Sequence, residues 1–488
     1  MEPEVEWLDD WESDLYGQIS NTEDQSQVDL RFWWRIFNDP VLNKLIELAK
    51  QENPSLSIAG LRILENRAAL GIAISGRYPQ VQQATGAINY VNTQQFSGPD
   101  QSFESFQGGF NIGWEPDFWG RFERSIESAD AAFFASIFNQ QNAQVLLNAQ
   151  VVDLYFAYRT ILLQIDNAKR NSKIQKRSFE ITERLYNSGQ KAELDLQQAK
   201  TQYMSTLSSI PGLESTQRQL RNALCALLGR APGDLPELNA EVQDLPTMNP
   251  VVLQGIPAQL LMRRPDIRSA ATQIAAQSAQ IGIAQADLYP AISLFGSINW
   301  TGNTISGSPD VLNLGIGPAF TWNLFDHGQI KNNVRVQDAR LQQAIDNFKN
   351  TVLQAAREID DAAVSVVKTL EQQVPQQASI QAAKRSLELA NTRYREGYAD
   401  FQRVIEAQRT VVSQEGGGIV NNSSHISAVI SFYKAVGGGW QVMPIEQLVP
   451  ETTRETMESR SDWGDLLLAP LPVSSGPYTP KQKAVKDE

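Results

Sequence analysis

Cysteine, histidine and long apolar runs are nearly missing from this 488-residue sequence, and each shortage removes a class of function. Cys225 is the sole cysteine, so there is no internal disulfide and no multi-cysteine metal site. His327 and His425 are the only histidines, too few for a histidine-based metal centre. No uninterrupted apolar run reaches the roughly 18 residues that a membrane-spanning helix needs. The net charge is −13, which argues against nucleic acid, because phosphate binding needs concentrated Lys and Arg. There is no nucleophile motif, phosphate loop or metal-ligand cluster, so the sequence points to no enzyme and no cofactor. The first 30 residues are acidic and polar, without the charged and apolar leader of an exported chain. Either the chain is not exported or a targeting segment has been removed, and the middle of the chain favours removal.

What is present is a duplication. Val41, Leu42, Leu45, Ile46 and Ala49 share one face of a short helix over about 40–52. Asn53-Pro54 then starts a second helix, with Asn as cap and Pro at the first position; it runs to about Arg77 and stops at Tyr78-Pro79. Pro54 pairs with Pro265, and Tyr78-Pro79 with Tyr289-Pro290, each 211 residues later. Trp114, Gly120, Tyr186, Gly189 and Ala199 pair with Trp322, Gly328, Tyr394, Gly397 and Ala407, each 208 residues later. An ordered series at one offset marks a tandem internal repeat over most of the chain. The three-residue change falls between the Tyr-Pro and Trp landmarks, in a section whose loops tolerate deletion.

Between those landmarks the apolar period changes from helical to alternating. Ile292, Leu294, Ile298 and Trp300 alternate with Ser293, Ser297, Asn299 and Thr301. Leu312, Leu314, Ile316, Phe320 and Trp322 alternate with Asn313, Gly315, Gly317, Ala319 and Thr321. Phe106, Phe110, Ile112 and Trp114 do the same against Ser105, Gln107, Gly109, Asn111 and Gly113, whereas residues 81–91 alternate less clearly. Strands of about ten residues with one oily and one small or polar face carry the signature of a transmembrane barrel. Taken alone, they fit the edge of a soluble β-sandwich equally well. The junctions shift the balance. Tyr78, Trp114, Phe118, Trp119, Tyr289, Trp322 and Phe325 put aromatics at all four strand–helix boundaries, as in the belt at a membrane–water interface. Four strands cannot close a barrel, the smallest having about eight, and an open edge in lipid leaves backbone groups unpaired. Strands in a membrane therefore demand that the chain associate with itself.

The helical sections are long. Gly120 to Ser188 contains no proline and Gly328 to Glu396 only Pro375; at about 1.5 Å per residue each run extends roughly 100 Å. Ala339, Ile345, Phe348, Val352, Ile359, Ala363 and Val366 recur at the heptad-like steps of coiled-coil packing. Pro375 is expected to kink or break its helix. Each run ends at a glycine, Gly189 or Gly397, suited to a left-handed cap. Returning helices follow from near 192 and 400 to about Leu228-Gly229 and Ala435-Gly437. Asp400 is the expected N-cap of the second, while its counterpart Ala192 is a poor one. Gly416-Gly417-Gly418 costs about 1 kcal/mol per glycine in helix propensity and weighs against a continuous last helix.

The expected fold is mainly α with a membrane β-barrel portion: long antiparallel coiled-coil hairpins plus four transmembrane strands per chain. Its parts are an acidic arm (1–30), helices and irregular collar segments (31–77, 232–288 and 440–470) and a disordered tail (471–488). Between them lie two strand pairs (78–119 and 289–327) and two helical hairpins (120–231 and 328–439).

The stretch Ile256-Pro257-Ala258-Gln259-Leu260-Leu261-Met262-Arg263-Arg264-Pro265-Asp266-Ile267-Arg268 resembles the signature of TolC-like outer membrane factors, especially the OprM/NodT branch. Trp114-Glu115-Pro116-Asp117-Phe118-Trp119-Gly120-Arg121, Leu227-Leu228-Gly229 and Tyr433-Lys434-Ala435-Val436-Gly437-Gly438-Gly439-Trp440 are similar to motifs of the same branch. The resemblance spans about residues 32–445. It implies a homotrimer in the bacterial outer membrane, with a twelve-stranded barrel and a twelve-helix periplasmic tunnel. It further implies the exit duct of a tripartite, RND-type efflux pump. Such a duct passes drugs or other small molecules onward from an inner membrane transporter and a periplasmic adaptor, without catalysis. A type I protein-secretion or metal-efflux duct is the alternative within that class, and a periplasmic coiled-coil scaffold the alternative outside it. Many members carry an N-terminal lipid-modified cysteine; Cys225 lies within a helix and does not fit, which leaves lipidation open.

In the resembled family the closed end is the periplasmic tip, near a Tyr-x-x-Gly turn. Here that turn is Tyr394-Arg395-Glu396-Gly397, and Gln402, Glu406, Arg409 and Ser413 share one face of the helix after it. Tyr394, Gln402, Glu406 and Arg409 are the expected gate, with Glu406 and Arg409 of three chains pairing when it is shut. The plainer reading is an exposed helix face with an i,i+3 pair worth about 0.2–0.5 kcal/mol. Arg263, Arg264 and Arg268 are expected to fix helix starts and inter-repeat contacts, and Asp326 and His327 to serve the strand–helix turn.

Overall fold

A computed structural model describes residues 29–93, 101–238, 244–246, 261–302 and 311–472. The expected arm and tail lie almost wholly outside the described residues, as do 256–260 of the signature stretch.

Short polar residues open the first helices. The Asp39 carboxylate accepts from the N–H groups of Val41 and Leu42 (2.9 and 3.2 Å) and starts α1, Pro40–Glu52. Asn53 Oδ1 accepts from Leu56 N–H at 2.9 Å and starts α2, Pro54–Ser75, as its Asn-Pro start predicts. The chain continues through β1 (Val81–Thr93), β2 (Gln101–Trp114), α3 (Arg121–Asn187) and α4 (Glu193–Leu227). A second series follows: α5 (Pro265–Ala286), β3 (Ala291–Gly302), β4 (Val311–Thr321), α6 (Gln329–Arg395) and α7 (Phe401–Ala435). α2 and α5 have 22 residues each, α3 and α6 have 67, and α4 and α7 have 35. The strands form one antiparallel sheet in chain order, with β1 and β4 at its edges. Two short helices follow, α8 (Ile445–Leu448) and α9 (Glu451–Arg460), and then a 3-10 turn at Gly464–Leu467. α9 falls in a segment whose weak apolar periodicity predicts irregular structure; no residue of it is buried, so it offers no buried stripe for a sequence to show.

Two compact units result. One comprises residues 1–60, 140–265 and 352–461, the other 61–139, 266–351 and 462–488. In the first, Trp33 is fully buried and stacks on Tyr433 with ring centroids 5.3 Å apart. The Asp39 carboxylate that caps α1 also accepts from Tyr155 Oη at 2.6 Å and pairs with Arg159 at 2.9 Å. A matched contact closes each helical hairpin: the residue before the α2 or α5 proline donates to a terminal helix carbonyl. Asn53 Nδ2 reaches Leu227 O at 2.8 Å, and Arg264 Nη1 reaches Ala435 O at 2.7 Å. Arg264 is buried and also pairs with Glu358 at 2.9 Å. In the second unit, the Arg268 guanidinium lies over the Phe138 ring at 4.2 Å, and Gln280 Nε2 donates to Ser128 Oγ at 2.8 Å.

Three expectations from the sequence are corrected. Pro375 does not interrupt α6, and α4 likewise continues through Pro211. Both prolines are exposed, on sides where the carbonyl each leaves without a partner is open to water. The triple glycine does not interrupt α7 either. A Cβ on Gly418 would lie 2.7 Å from Ile380 Cδ1, and one on Gly417 3.3 Å from Gln376 Nε2. Missing side chains let α7 approach α6 closely, and Gln376 Nε2 bonds Gln414 O across that contact at 3.0 Å, which offsets the lost propensity. Asp400 takes the extended N-cap conformation but its carboxylate makes no cap hydrogen bond, and Ala192 has nearly the same dihedrals. The two helix starts are alike because neither uses a side chain.

Removing the Arg264 guanidinium leaves the Ala435 carbonyl and the Glu358 carboxylate without this donor. Arg264→Met is expected to destabilise the protein by about 2–4 kcal/mol. Arg264→Lys should recover only part of that, because one ammonium lacks the fork that spans both acceptors. Thermal unfolding in detergent measures the order.

Candidate functional site

Each strand–helix passage in the second unit is fastened by an indole. Trp114 Nε1 donates to Arg77 O at 3.3 Å, and Trp322 Nε1 donates to Leu288 O at 3.2 Å. Each ring thus ties the end of a strand pair to the turn between the entering helix and the first strand of that pair. Trp119 stacks on Tyr289 with centroids 4.7 Å apart, and its Nε1 donates to Pro290 O at 2.8 Å. The seven expected interface aromatics, Tyr78, Trp114, Phe118, Trp119, Tyr289, Trp322 and Phe325, are all exposed, most of all Phe325.

The helix starts beyond them are capped by carboxylates. Asp117 accepts from Phe122 and Glu123 N–H (3.2 and 2.8 Å), Asp326 from Gly328 and Ile330 N–H (3.0 and 2.7 Å). Asp326 therefore serves the turn as expected, and His327 takes a left-handed conformation there with φ 52°. The two passages are not superimposable copies, since each aspartate reaches different relative positions. A cavity of about 690 Å³ in this unit is walled by Glu115, Asp117, Trp119, Asp287, Tyr289 and Asp326. Among the described residues, no group of three or more His, Cys, Asp or Glu side chains is placed to hold a metal ion.

The expected gate lies in the first unit, where α3 turns into α4 and α6 into α7. Both turns end in the same way. Gly189 and Gly397 have φ of +74° and +82°, and the following N–H reaches back to Leu185 O and Arg393 O at 2.9 Å each. Phe401, Val404 and Ile405 bury against Ala199, with Phe179, Ala390 and Tyr394 packed around them. Tyr394 is thus a packing residue: its ring lies 5.2 Å from Phe401, and Lys191 Nζ sits 4.5 Å from its centroid. Burial, then the Asp195 carboxylate, raises its phenol above the usual range.

Gln402, Glu406 and Arg409 share an exposed face of α7. Two of them are held to α4: Gln402 Oε1 accepts from Gln198 Nε2 at 3.0 Å, and Arg409 Nε donates to Gln202 Oε1 at 2.7 Å. Among the described residues no Glu406–Arg409 ion pair forms within the chain. Three contributors escape the sequence pattern, namely Gln202, Lys191 and the buried Gln408, which donates to Ser178 Oγ at 3.1 Å. Only the helix-to-helix register identifies them, and that is invisible in one strip of sequence.

The family model for outer membrane efflux proteins matches residues 45–230 and 256–438. The chain belongs to that family. It is similar to the pyoverdine export outer membrane protein OpmQ of Pseudomonas putida, 27% identical over 441 residues that cover 88% of this chain and 92% of that one. The cation efflux system protein CusC of Escherichia coli is 28% identical over 419 residues, covering 84% and 88%. Among solved structures, the outer-membrane channel OprN superposes with a TM-score of 0.78 at 32% identity, covering 86% of this chain and 94% of its own. The efflux protein is placed in the bacterial outer membrane with long periplasmic helices. Its relatives are channels, and no catalytic family is indicated. No described helix is long and apolar enough to cross a membrane.

The Trp119–Tyr289 stack generates a test. A double-mutant cycle with Trp119→Ala and Tyr289→Ala, read by unfolding in detergent, is expected to give a coupling of about 0.5–1.5 kcal/mol. A coupling near zero would show that the two rings act independently.

Proposed function

We propose that the protein is the outer membrane exit duct of a tripartite, RND-type efflux pump, conducting drugs or other small molecules passively. The carrying observation is the four-stranded sheet with its apolar residues exposed and both edges open, in a chain of this family. Three chains supply twelve strands for a barrel and twelve helices for a periplasmic tunnel. A periplasmic adaptor joins that tunnel to the inner membrane transporter. The equal helix lengths and the matched Asn53 and Arg264 contacts support the tandem repeat on which this symmetry rests. On this reading 78–119 and 289–327 form the membrane portion, 120–231 and 328–439 the periplasmic hairpins, and 31–77, 232–288 and 440–470 the collar. The exposed aromatics Tyr78, Trp114, Phe118, Trp119, Tyr289, Trp322 and Phe325 meet the membrane–water interface. A metal-ion cargo is the second reading, favoured by the similarity to a cation efflux protein.

The gate is the tip of α6 and α7, with Tyr394 as packing support and Gln402, Glu406 and Arg409 facing the constriction. The bonds from Gln198 and to Gln202 hold α7 against α4 in this arrangement, and Glu406 stays available to a neighbouring chain's Arg409. Each such bond is worth about 1 kcal/mol, enough to shift a closed-to-open ratio roughly fivefold. Arg409→Ala and Glu406→Ala are each expected to raise the conductance of the protein in planar bilayers. If both variants conduct as the wild type does, the gate lies elsewhere.

A further inference from the structure

The outer strands of the sheet carry the most exposed apolar side chains in it. Ile316, Phe320 and Leu314 on β4 and Ile88 and Tyr90 on β1 are 69–92% exposed, against 38–48% for Trp300, Ile298 and Phe110 on the inner strands. The two hairpins fix how the halves of the sheet correspond. Val81 faces Gly113 in the first, and Ala291 faces Thr321 in the second. Adding 210 to β1 and 208 to β2 turns the first register into the second without remainder. On β1 this aligns Gly86, Ile88, Asn89 and Tyr90 with Gly296, Ile298, Asn299 and Trp300. It also divides the three-residue length difference, one residue falling just before β1 and two in the hairpin loop.

The same correspondence acts on the central seam, where β2 pairs with β3. There Asn111 faces Ser297, Gly109 faces Asn299, and Ile112 faces Gly296. The Asn299 side chain occupies the space over Gly109, and a Cβ on Gly296 would lie 2.8 Å from Ile112 Cγ2. Carried onto the free edges, these pairs become Ala319 with Ala87, Gly317 with Asn89, and Phe320 with Gly86. Asparagine again meets glycine, and a large apolar side chain again meets a glycine. Gly86 has the room, since only Gln107 O lies within 4 Å of its Cβ position. Within the chain every paired couple joins even to even or odd to odd numbers, which keeps Tyr90, Phe110, Ile112, Ile298, Ile316 and Phe320 on one face. The carried-over pairs keep that parity. A slip of one residue would turn a whole strand over.

We infer that β4 of one chain pairs antiparallel with β1 of a second copy in this register, with Ala319 opposite Ala87, Gly317 opposite Asn89 and Phe320 opposite Gly86. The assignment rests on the trimer reading above and specifies the seam that closes it. It leaves no free edge, because each copy offers one β1 and one β4.

Paired cysteines in the full chain test it, with the buried native thiol removed by Cys225→Ser. Ala87→Cys with Ala319→Cys places thiols on directly opposed residues, about 4.5–5.5 Å apart at Cβ. Ala87→Cys with Gly317→Cys, or with Thr321→Cys, places them on diagonals of about 7–8 Å, too far for easy disulfide formation. After mild oxidation of outer membranes, the opposed pair is expected to give covalent dimer and trimer at about five times the yield of either diagonal pair or more. Sedimentation of the unoxidised protein in detergent reports the trimer separately. A trimer in which a diagonal pair links better, or in which no pair links, overturns the register. A monomer overturns the trimer reading on which it stands.

Discussion

A strand edge in hydrocarbon has no water to satisfy its N–H and C=O groups, and each group left unpaired costs several kcal/mol. On the proposed reading that constraint governs the whole design. β1 and β4 are the edges of a sheet that is complete in neither direction, so the chain is stable in a membrane only as part of a ring. Halves of matched length let such a ring repeat evenly around its axis. The paired helices of 22, 67 and 35 residues are matched in this way.

Interchangeable lengths do not mean identical contacts. Where Asn53 makes a short neutral bond to Leu227 O, Arg264 makes a charged bond to Ala435 O and reaches Glu358 as well. In the second half of the chain a buried cation thus fastens the long helix α6 to the returning helix α7. The aspartate caps of the two strand–helix passages differ in a similar way. Such asymmetries give each half its own stability while preserving the spacing that symmetry needs.

Much of this was legible in sequence because proline, glycine and aromatics punctuate it. Asn53-Pro54, Gly189, Gly397 and the Tyr-Pro pairs mark helix ends to within a few residues, because each acts through its own backbone chemistry. The sheet register was not legible, because β1 alternates weakly and its correspondence with β3 is displaced by one residue from the helical landmarks. The continuity of α7 through Gly416-Gly417-Gly418 was also hidden. Propensity counts what a helix loses alone, whereas the gain there comes from Ile380 and Gln376 on another helix. At the tip, a single sequence shows the face bearing Gln402, Glu406 and Arg409 but not the α4 glutamines that hold it.

On the proposed reading, the weakest links fall where a duct has to move. Within the first unit, Trp33 and Tyr433 stack and Arg264 is buried against Ala435 O and Glu358, whereas α7 meets α4 beside the Gly397 turn through a small apolar cluster and two exposed polar bonds. The central claim is that one chain supplies one third of a closed conduit. Electron cryo-microscopy of the full-length protein in lipid nanodiscs tests it directly. The account predicts threefold particles around a single lumen, with a closed ring of twelve strands. Single-chain particles carrying an open four-stranded sheet would contradict it.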